Sequence, residues 1–381
     1  MSRSRVAFVV ESGTDVRMIE GLAARFDLTV AARRIPGGVE VSQTPQTDVA
    51  VDVLPAGRAR FAAALPRWLR SRAARVDAVL VQGYGPAALA ANLAARRTGV
   101  PTFMLVCSPV EAYYACRRRP GSDKRYRAAA LFGLRTFARL NARLGNGYIV
   151  LSEYLAAVVR AHGARAPVHV VPVYGVDTER FSPRPDDRAA VDRAAVRARR
   201  GIPLEGSIVF FSSRVAPEKD AESVLAALRR LAGRGRNVRV LHRSGGYRRF
   251  LELADTMGVA DLVIATDAVH PHRELPDDYR ASDVCVQASH AEGLGFSPLE
   301  ALACGVPVVA SAVGGLRETV RDGETGWTYP PGDAEALAAR LETVLDNPAE
   351  GTRRATRGRA MVVERFEREV VFERLEKVLG L

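Results

Sequence analysis

Val284-Cys-Val-Gln287-Ala-Ser-His290-Ala-Glu292-Gly293-Leu294-Gly295-Phe296-Ser297-Pro298-Leu-Glu300-Ala-Leu-Ala-Cys304-Gly305-Val306-Pro-Val-Val-Ala310 is the stretch from which the fold is read. Val284–Gln287 and Val306–Ala310 are short apolar runs of strand length, and the segment between them has the start signals of a helix. Ser297, Pro298 and Glu300 predict that start as a serine N-cap, a proline at the first helical position and a glutamate at the third. A helix N-terminus presents unpaired N–H groups and the positive end of the macrodipole, which favours phosphate. Glu292 in the glycine-broken loop and Glu300 in the first turn add two carboxylates beside that terminus. Such a pair suits a sugar nucleotide, with phosphates on the amides and hydroxyls on the acids. A capping box alone also accounts for Glu300, and ordinary turn chemistry accounts for Gly293 and Gly295.

The same alternation runs through the chain. Strands are predicted at Val6–Val10, Leu28–Ala31, Ala78–Val81, Thr102–Val106, Tyr148–Leu151 and Val168–Val173. After a charged helix near Asp186–Arg199 the pattern restarts at Ile208–Ser212, Val238–Leu241, Leu262–Ala265, Val284–Gln287 and Val306–Ala310. Apolar strands separated by amphipathic helices indicate parallel sheets covered on both faces, and the restart indicates two of them. At 381 residues the chain exceeds the usual single-domain size. The expected fold is therefore α/β with two Rossmann-like domains, their parallel sheets facing an interdomain cleft. The turn-rich segment Pro172–Pro185 is the expected boundary, which gives residues 1–175 and 176–360, followed by a helix over 361–381.

Composition excludes several classes. There is no apolar run of about 18 residues to cross a membrane. The apolar run Val6–Val10 is interrupted by Glu11, too short for a secretion signal, and reads as a buried first strand. Cys107, Cys116, Cys285 and Cys304 show no paired spacing, which fits reduced thiols in a cytoplasm and no zinc site. The net charge of +12 invites a nucleic-acid partner, yet of 55 cationic residues only Lys124, Lys219 and Lys377 are lysines. Arginine this dominant is spread over surfaces without a nucleic-acid module, so no nucleic acid is expected.

Further segments line up with the opening stretch. Ile208-Val-Phe-Phe-Ser-Ser-Arg214-Val-Ala-Pro-Glu218-Lys219-Asp220 is a strand followed by a loop with two cations. Arg214 can fork two oxygens and Lys219 supplies a point charge, a pair suited to a diphosphate, although both are also ordinary surface charges. Pro276-Asp277-Asp278-Tyr279 reads as a helix start and not as a metal-binding acidic motif. The Gly314-Gly315 turn and Asp322-Gly-Glu-Thr-Gly326 follow. In this order and spacing, residues from about Val171 to about Asp346 resemble the retaining glycosyltransferases of family 4, with the GT-B fold, and Glu292 with Glu300 matches that family's E-x7-E signature.

The resemblance implies roles. Arg214 and Lys219 would bind the donor diphosphate and stabilise charge on the leaving nucleotide, forming the catalytic set with Glu292, which would hold sugar hydroxyls. Gly293, Leu294, Gly295, Phe296 and Ser297 would lie against sugar and phosphates, and Glu300 would hold the ribose. The base would sit against backbone near Val263–Thr266, with Val263 and Ile264 as donor-binding positions. No cofactor or metal would be required, the substrate being a UDP-, GDP- or ADP-sugar.

The first half matches only in outline. Where the family commonly has a glycine pair, this chain has Glu11-Ser-Gly13-Thr-Asp15, and Gly13 is either a phosphate contact or a simple turn. Where a histidine often meets the acceptor stands Cys107-Ser108-Pro-Val-Glu111, so Ser108 or Glu111 would take that contact or merely cap a helix. Arg243, in Leu241-His242-Arg243-Ser-Gly-Gly246, is a further phosphate contact or a salt-bridge partner. Arg117–Arg119, Lys124, Arg125 and Arg127 beside Tyr113, Tyr114, Tyr126 and Phe132 form a basic and aromatic patch. That patch suits anionic lipid headgroups or a lipid-diphosphate acceptor, or else is a solvated helix. Val363, Phe366, Val370, Val371, Leu375 and Val378 predict one amphipathic helix, which in the family returns to the first domain. The expected activity is retaining transfer of a sugar from a nucleotide donor to a glycan, lipid-linked or small-molecule acceptor, at the cytoplasm or its membrane face. A sugar-nucleotide epimerase or a non-catalytic relative are the competing readings.

Overall fold

The computed structural model describes residues 3–11, 14–35, 38–39, 49–72, 75–83, 85–116, 124–184, 189–244, 246–266 and 271–381. Among them the strands form two sheets, in two compact units. One unit holds Met1–Tyr114, Arg119–Gly175 and Glu369–Leu381, and the other holds Val176–Arg368 with Ala115–Arg118.

The first sheet comprises β1 (Arg5–Val10), β2 (Asp27–Ile35), β3 (Gly38–Val39), β4 (Ala50–Leu54), β5 (Ala78–Gln82), β6 (Thr102–Val106), β7 (Gly147–Val150) and β8 (Val168–Val170). Its order is β3-β2-β1-β5-β6-β7-β8, with β4 also on β2. All pairings are parallel except β2 with β3. Val6 to Val10 are fully buried, so the first apolar run is a central strand with both faces covered.

The second sheet comprises β9 (Ser207–Phe211), β10 (Val238–Arg243), β11 (Val263–Thr266), β12 (Val284–Gln287), β13 (Val308–Ser311) and β14 (Trp327–Tyr329). Its order is β11-β10-β9-β12-β13-β14, parallel throughout. Val209, Phe211, Val240, Val286, Val309 and Trp327 meet Leu225, Leu228 and Leu337 of the covering helices in one core. Successive strands here are joined through helices, as parallel pairing requires.

Three local expectations are corrected. The predicted capping box is absent: the helix Phe296–Ala303 starts one residue before Ser297, with Gly295 at its N-cap and no side-chain capping bond. Gly295 has φ +94°, a backbone turn that launches the helix early and moves Glu300 into its second turn. Asp277 and Asp278 do not begin a helix but lie inside Pro271–Ala281. The C-terminal run is two helices, Pro348–Arg365 and Arg368–Leu379. The break is fixed by Val176, whose N–H donates to the Phe366 carbonyl (2.7 Å) and whose carbonyl accepts from Arg368 N–H (3.0 Å). Val363, expected on the apolar face, is 41% exposed.

The second of these helices packs within the first unit. The Phe372 ring lies on Gly21 of the helix Val16–Arg25, where an added Cβ would come within 2.0 Å of the ring. Arg25 pairs with Glu369 at 2.5 Å and with Glu376 at 2.9 Å. The side chains of the Lys124–Arg127 segment and all of Arg117–Arg119 lie outside the described residues, as does Gly13. Phe132, on the helix Lys124–Leu144, is 71% exposed.

His242 shows what burial does to a titrating group. The ring stacks on Phe250 (4.1 Å) and Phe211 (5.5 Å), and its Nδ1 lies 2.8 Å from the Phe211 carbonyl. A carbonyl only accepts, so Nδ1 carries the proton of a neutral ring. Burial pulls the pKa down to about 4, against the smaller opposing effect of that bond. A folded His242 therefore stays neutral where the unfolded chain binds a proton. Its contribution is complete above the ordinary value of 6.5 and is lost as the pH falls toward 4. The shift corresponds to about 3 kcal/mol. Urea unfolding between neutral pH and the pKa of the buried ring should lose about that much less stability in His242→Phe than in the parent chain. Parallel pH profiles for the two proteins would contradict the assignment.

Candidate active site

In a parallel sheet with helices on both faces, ligands gather beyond the carboxyl ends of the strands where the strand order reverses. In the second sheet that place lies between β9 and β12, which are neighbours through Val284 with Val209 and Cys285 with Phe210. The chain leaves β9 and runs one way through β10 and β11, then returns beside β9 as β12 and continues through β13. Two loops emerge side by side at this point, one after Phe211 and one after Gln287.

The loop after β9 ends in a turn of 3-10 helix, Pro217–Lys219, and then in Asp220 at φ +49°. The Asp220 carboxylate caps the next helix, Ala221–Gly233, by accepting from Ser223 N–H at 3.2 Å. The loop after β12 is tied to it through the backbone, His290 N–H donating to the Glu218 carbonyl at 2.9 Å. This bond brings Lys219 onto Glu292: the ammonium donates to Oε2 of the carboxylate, both side chains being largely buried at 13% and 11% exposure. Gln287 Nε2 (3.3 Å) and Ser289 Oγ (3.2 Å) donate to the same oxygen, and Gly293 N–H donates to Oε1 at 3.2 Å. Ser213 Oγ in turn donates to Gln287 Oε1 at 3.1 Å.

Glu300 lies on the adjoining helix and is buried. Its Oε2 accepts from the Tyr279 hydroxyl at 2.9 Å, and Ser212 Oγ donates to Ser297 Oγ at 2.9 Å. Burial, with the Glu300 charge next in weight, raises the Tyr279 phenol well above its ordinary value, so it remains a proton donor to the carboxylate. Gly293 to Ser297 form the loop and first turn between the two acids, with the positive end of the helix Phe296–Ala303 behind them.

The loop after β13 buttresses this arrangement. Gly315 N–H donates to the Glu292 carbonyl at 3.2 Å, and an added Cβ at Gly315 would come within 2.1 Å of the Gly293 carbonyl oxygen. No side chain fits there without moving backbone.

Other expected residues are placed elsewhere. Arg214 stands at the mouth of the β9 loop, 67% exposed, with its guanidinium 4.0 Å from the buried Glu218 carboxylate. Arg243 is buried and engaged as an ion-pair partner: Nε donates to Asp278 at 3.0 Å, and the other nitrogens to Glu274 and Thr266. Asp278 also accepts from Arg200 at 3.0 Å. Burial raises the Asp278 carboxyl while the two guanidinium charges pull it back down. Val263 and Ile264 lie at the start of the edge strand β11, about 7–10 Å below its carboxyl end at Thr266 by strand rise. In the first unit, the Glu111 carboxylate is held by Arg135 (3.0 Å) and His162 (3.2 Å), while Ser108 sits in the loop after β6 with its carbonyl accepting from Val110 N–H. Gln287, Ser289 and Tyr279 carry contacts to the two acids that spacing alone does not assign, and Ser213 reaches them only through Gln287. The available signal was a glutamine closing the otherwise apolar run Val284–Gln287.

Comparison with known proteins agrees with this architecture. The family described as "Glycosyl transferases group 1" matches residues 192–361, and the "Glycosyl transferase 4-like domain" matches residues 16–173. The chain belongs to the family-4 kind of GT-B glycosyltransferases. A D-inositol 3-phosphate glycosyltransferase of Xylanimonas cellulosilytica is 39% identical over 210 residues, covering 53% of this chain and 49% of that protein. A GDP-mannose-dependent alpha-(1-6)-phosphatidylinositol monomannoside mannosyltransferase of Mycolicibacterium smegmatis is 33% identical, over 62% of this chain and 64% of that one. The chain thus spans about half to two thirds of the length of these curated relatives. Among solved structures, Anabaena HepE in complex with UDP and glucose superposes with a TM-score of 0.77 at 18% identity, covering 99% of this chain and 100% of that one. Sucrose-phosphate synthase of Thermosynechococcus elongatus gives 0.75 at 20% identity, covering 99% and 98%. At such identities these two establish the shared fold.

The Gly315 contact makes the loop geometry testable. Gly315→Ala has an ordinary φ, so its cost is steric, about 1–3 kcal/mol for forced overpacking. A lowered melting temperature, together with weaker retention on a nucleotide-diphosphate resin, is the expected pair of results. Unchanged values for both would mean that the loop does not depend on this contact.

Proposed function

We propose that this chain transfers a glycosyl group from a nucleoside-diphosphate sugar to an acceptor with retention of anomeric configuration. The observation that carries the reading is the meeting of Lys219 and Glu292 at the strand-order reversal, beside a helix N-terminus. We assign donor binding to the unit Val176–Arg368 and acceptor recognition to the unit containing Met1–Tyr114.

In this mechanism the donor diphosphate lies against Lys219, Arg214 and the amides of Gly293 to Phe296. As the glycosidic C–O bond to the diphosphate breaks, negative charge grows on the leaving oxygen. Lys219 and Arg214 offset that charge, and the dipole of the helix Phe296–Ala303 adds to them. Glu292 accepts hydrogen bonds from the sugar hydroxyls, and Glu300, oriented by Tyr279, accepts from the ribose. The acceptor oxygen attacks the anomeric carbon from the face the nucleotide leaves and gives up its proton to the departing diphosphate oxygen. Retention rests on the resemblance to family 4.

The names of the curated relatives support an acceptor of inositol phosphate or phosphatidylinositol type. A net charge of +12 suits an anionic acceptor. The exposed Phe132 on an arginine-rich helix supports docking at an anionic membrane face, and four free thiols fit a reducing, cytoplasmic setting.

Thermal shift against UDP-, GDP-, ADP- and TDP-sugars tests the donor, because a bound ligand raises apparent stability. With the donor found, Glu292→Ala should abolish transfer with the fold intact. Lys219→Ala should slow it by roughly 100- to 1000-fold, as loss of a charge-stabilising donor does. Undiminished transfer by both variants would defeat the assignment. Co-sedimentation with phosphatidylinositol-containing vesicles at low salt should exceed that with neutral vesicles, and Phe132→Ser should reduce it. Equal pelleting with both vesicle types would exclude the membrane contact.

A further inference from the structure

We propose that Gln287 is a positioning residue that holds the Glu292 carboxylate for the sugar, an inference that rests on the glycosyl-transfer reading above. Gln287 closes β12 and is 2% exposed, at the end of a run of buried apolar residues. A carboxamide taken out of water costs free energy unless its groups are bonded. Here both ends of the amide are bonded. Oε1 accepts from Ser213 (3.1 Å), and Nε2 donates to Ser289 Oγ (2.8 Å) and to Glu292 Oε2 (3.3 Å).

The direction of the amide is forced. An ionised carboxylate only accepts, so the nitrogen must face Glu292 and the carbonyl must face Ser213. Gln287 thereby spans the loops after β9 and β12, the two that also meet through Lys219 and Glu292. Lys219 has a competing duty, because an arriving diphosphate draws the ammonium toward itself. The neutral, buried amide has no such rival. It keeps one carboxylate oxygen occupied and the Glu292 rotamer fixed while Lys219 turns to phosphate. Ser289, a buried hydroxyl bonded to both Gln287 and Glu292, completes the brace.

A bare nucleoside diphosphate lacks the sugar that Glu292 receives, so the proposal separates two affinities. The full-length chain, Gln287→Leu and Gln287→Glu would be titrated by calorimetry with UDP and GDP, then with UDP-glucose and GDP-mannose, and assayed for donor turnover. Gln287→Leu should bind the bare nucleotide within about twofold of the parent chain. It should lose at least tenfold in affinity for the sugar nucleotide and on the order of 100-fold in turnover, the scale of a misplaced reacting group.

Gln287→Glu adds a readout that packing alone does not move. Above its own pKa the new carboxylate repels Glu292 and leaves it without that donor. Once protonated, its O–H takes the place of the amide N–H while its carbonyl still accepts from Ser213. Activity of Gln287→Glu relative to the parent should therefore climb as the pH falls through the titration of the new group, while the ratio for Gln287→Leu stays flat. Equal losses for nucleotide and sugar nucleotide, a flat ratio for Gln287→Glu, or parent-like Gln287→Leu would each overturn the positioning role. In those cases the parent still binds its donor and the transfer reading stands. A parent chain that binds none of these four ligands, and no ADP- or TDP-sugar in the thermal-shift screen, would instead remove that reading and this proposal together.

Discussion

An ammonium and a carboxylate brought together out of water lose more hydration than their attraction readily returns, unless the surroundings supply further hydrogen bonds. The pair formed by Lys219 and Glu292 meets that condition through Gln287, Ser289 and the Gly293 amide. Each of those donors depends on something farther away. The β9 loop is fastened to the β12 loop by the bond from His290 N–H to the Glu218 carbonyl, and the β12 loop lies on Gly315, where nothing larger than hydrogen fits. Apolar residues of the same volume would often be at least as stable at such a place.

The strongly basic composition resolves into particular pairings. Arg193 and Arg197 share Asp283, while Arg200 and Arg243 share the fully buried Asp278. Each guanidinium gives one nitrogen to the shared carboxylate and keeps others for further acceptors, as Arg197 does with Ala281 and Leu204 and Arg243 with Glu274 and Thr266. Many arginines of the second unit are thus built into its scaffold. Arg214 is different: it is two-thirds exposed and reaches its nearest carboxylate only at the limit of an ion pair. That sets it apart from the arginines that fasten a helix to a sheet.

The two acids of the opening motif also serve in different surroundings. Glu292 is met by a cation and by neutral donors from neighbouring loops, so its environment changes when a charged ligand competes for Lys219. Glu300 is met by the Tyr279 phenol, which burial keeps protonated and which Phe210 packs edge-on at 4.7 Å. The second acid is therefore held by a partner that no anionic ligand displaces.

Local pattern determined much of the molecule. Runs such as Thr102–Val106 and Val284–Gln287 coincide with strands to the residue, because a strand buried on both faces must be continuously apolar over its own length. Gly-Leu-Gly between Glu292 and Phe296 announced a loop for the same local reason. Ala50–Leu54 and Trp327–Tyr329 were not read as strands, since each pairs on one side and carries a weak signal of its own. Tertiary structure alone decided which charges meet. Lys219 and Glu292 are 73 positions apart and touch only because β12 returns beside β9, and Arg243 was claimed by acids 31 and 35 positions away. The strand order that makes these meetings follows from burying two sheets' worth of apolar surface at once, a property of the whole chain that no window of sequence contains.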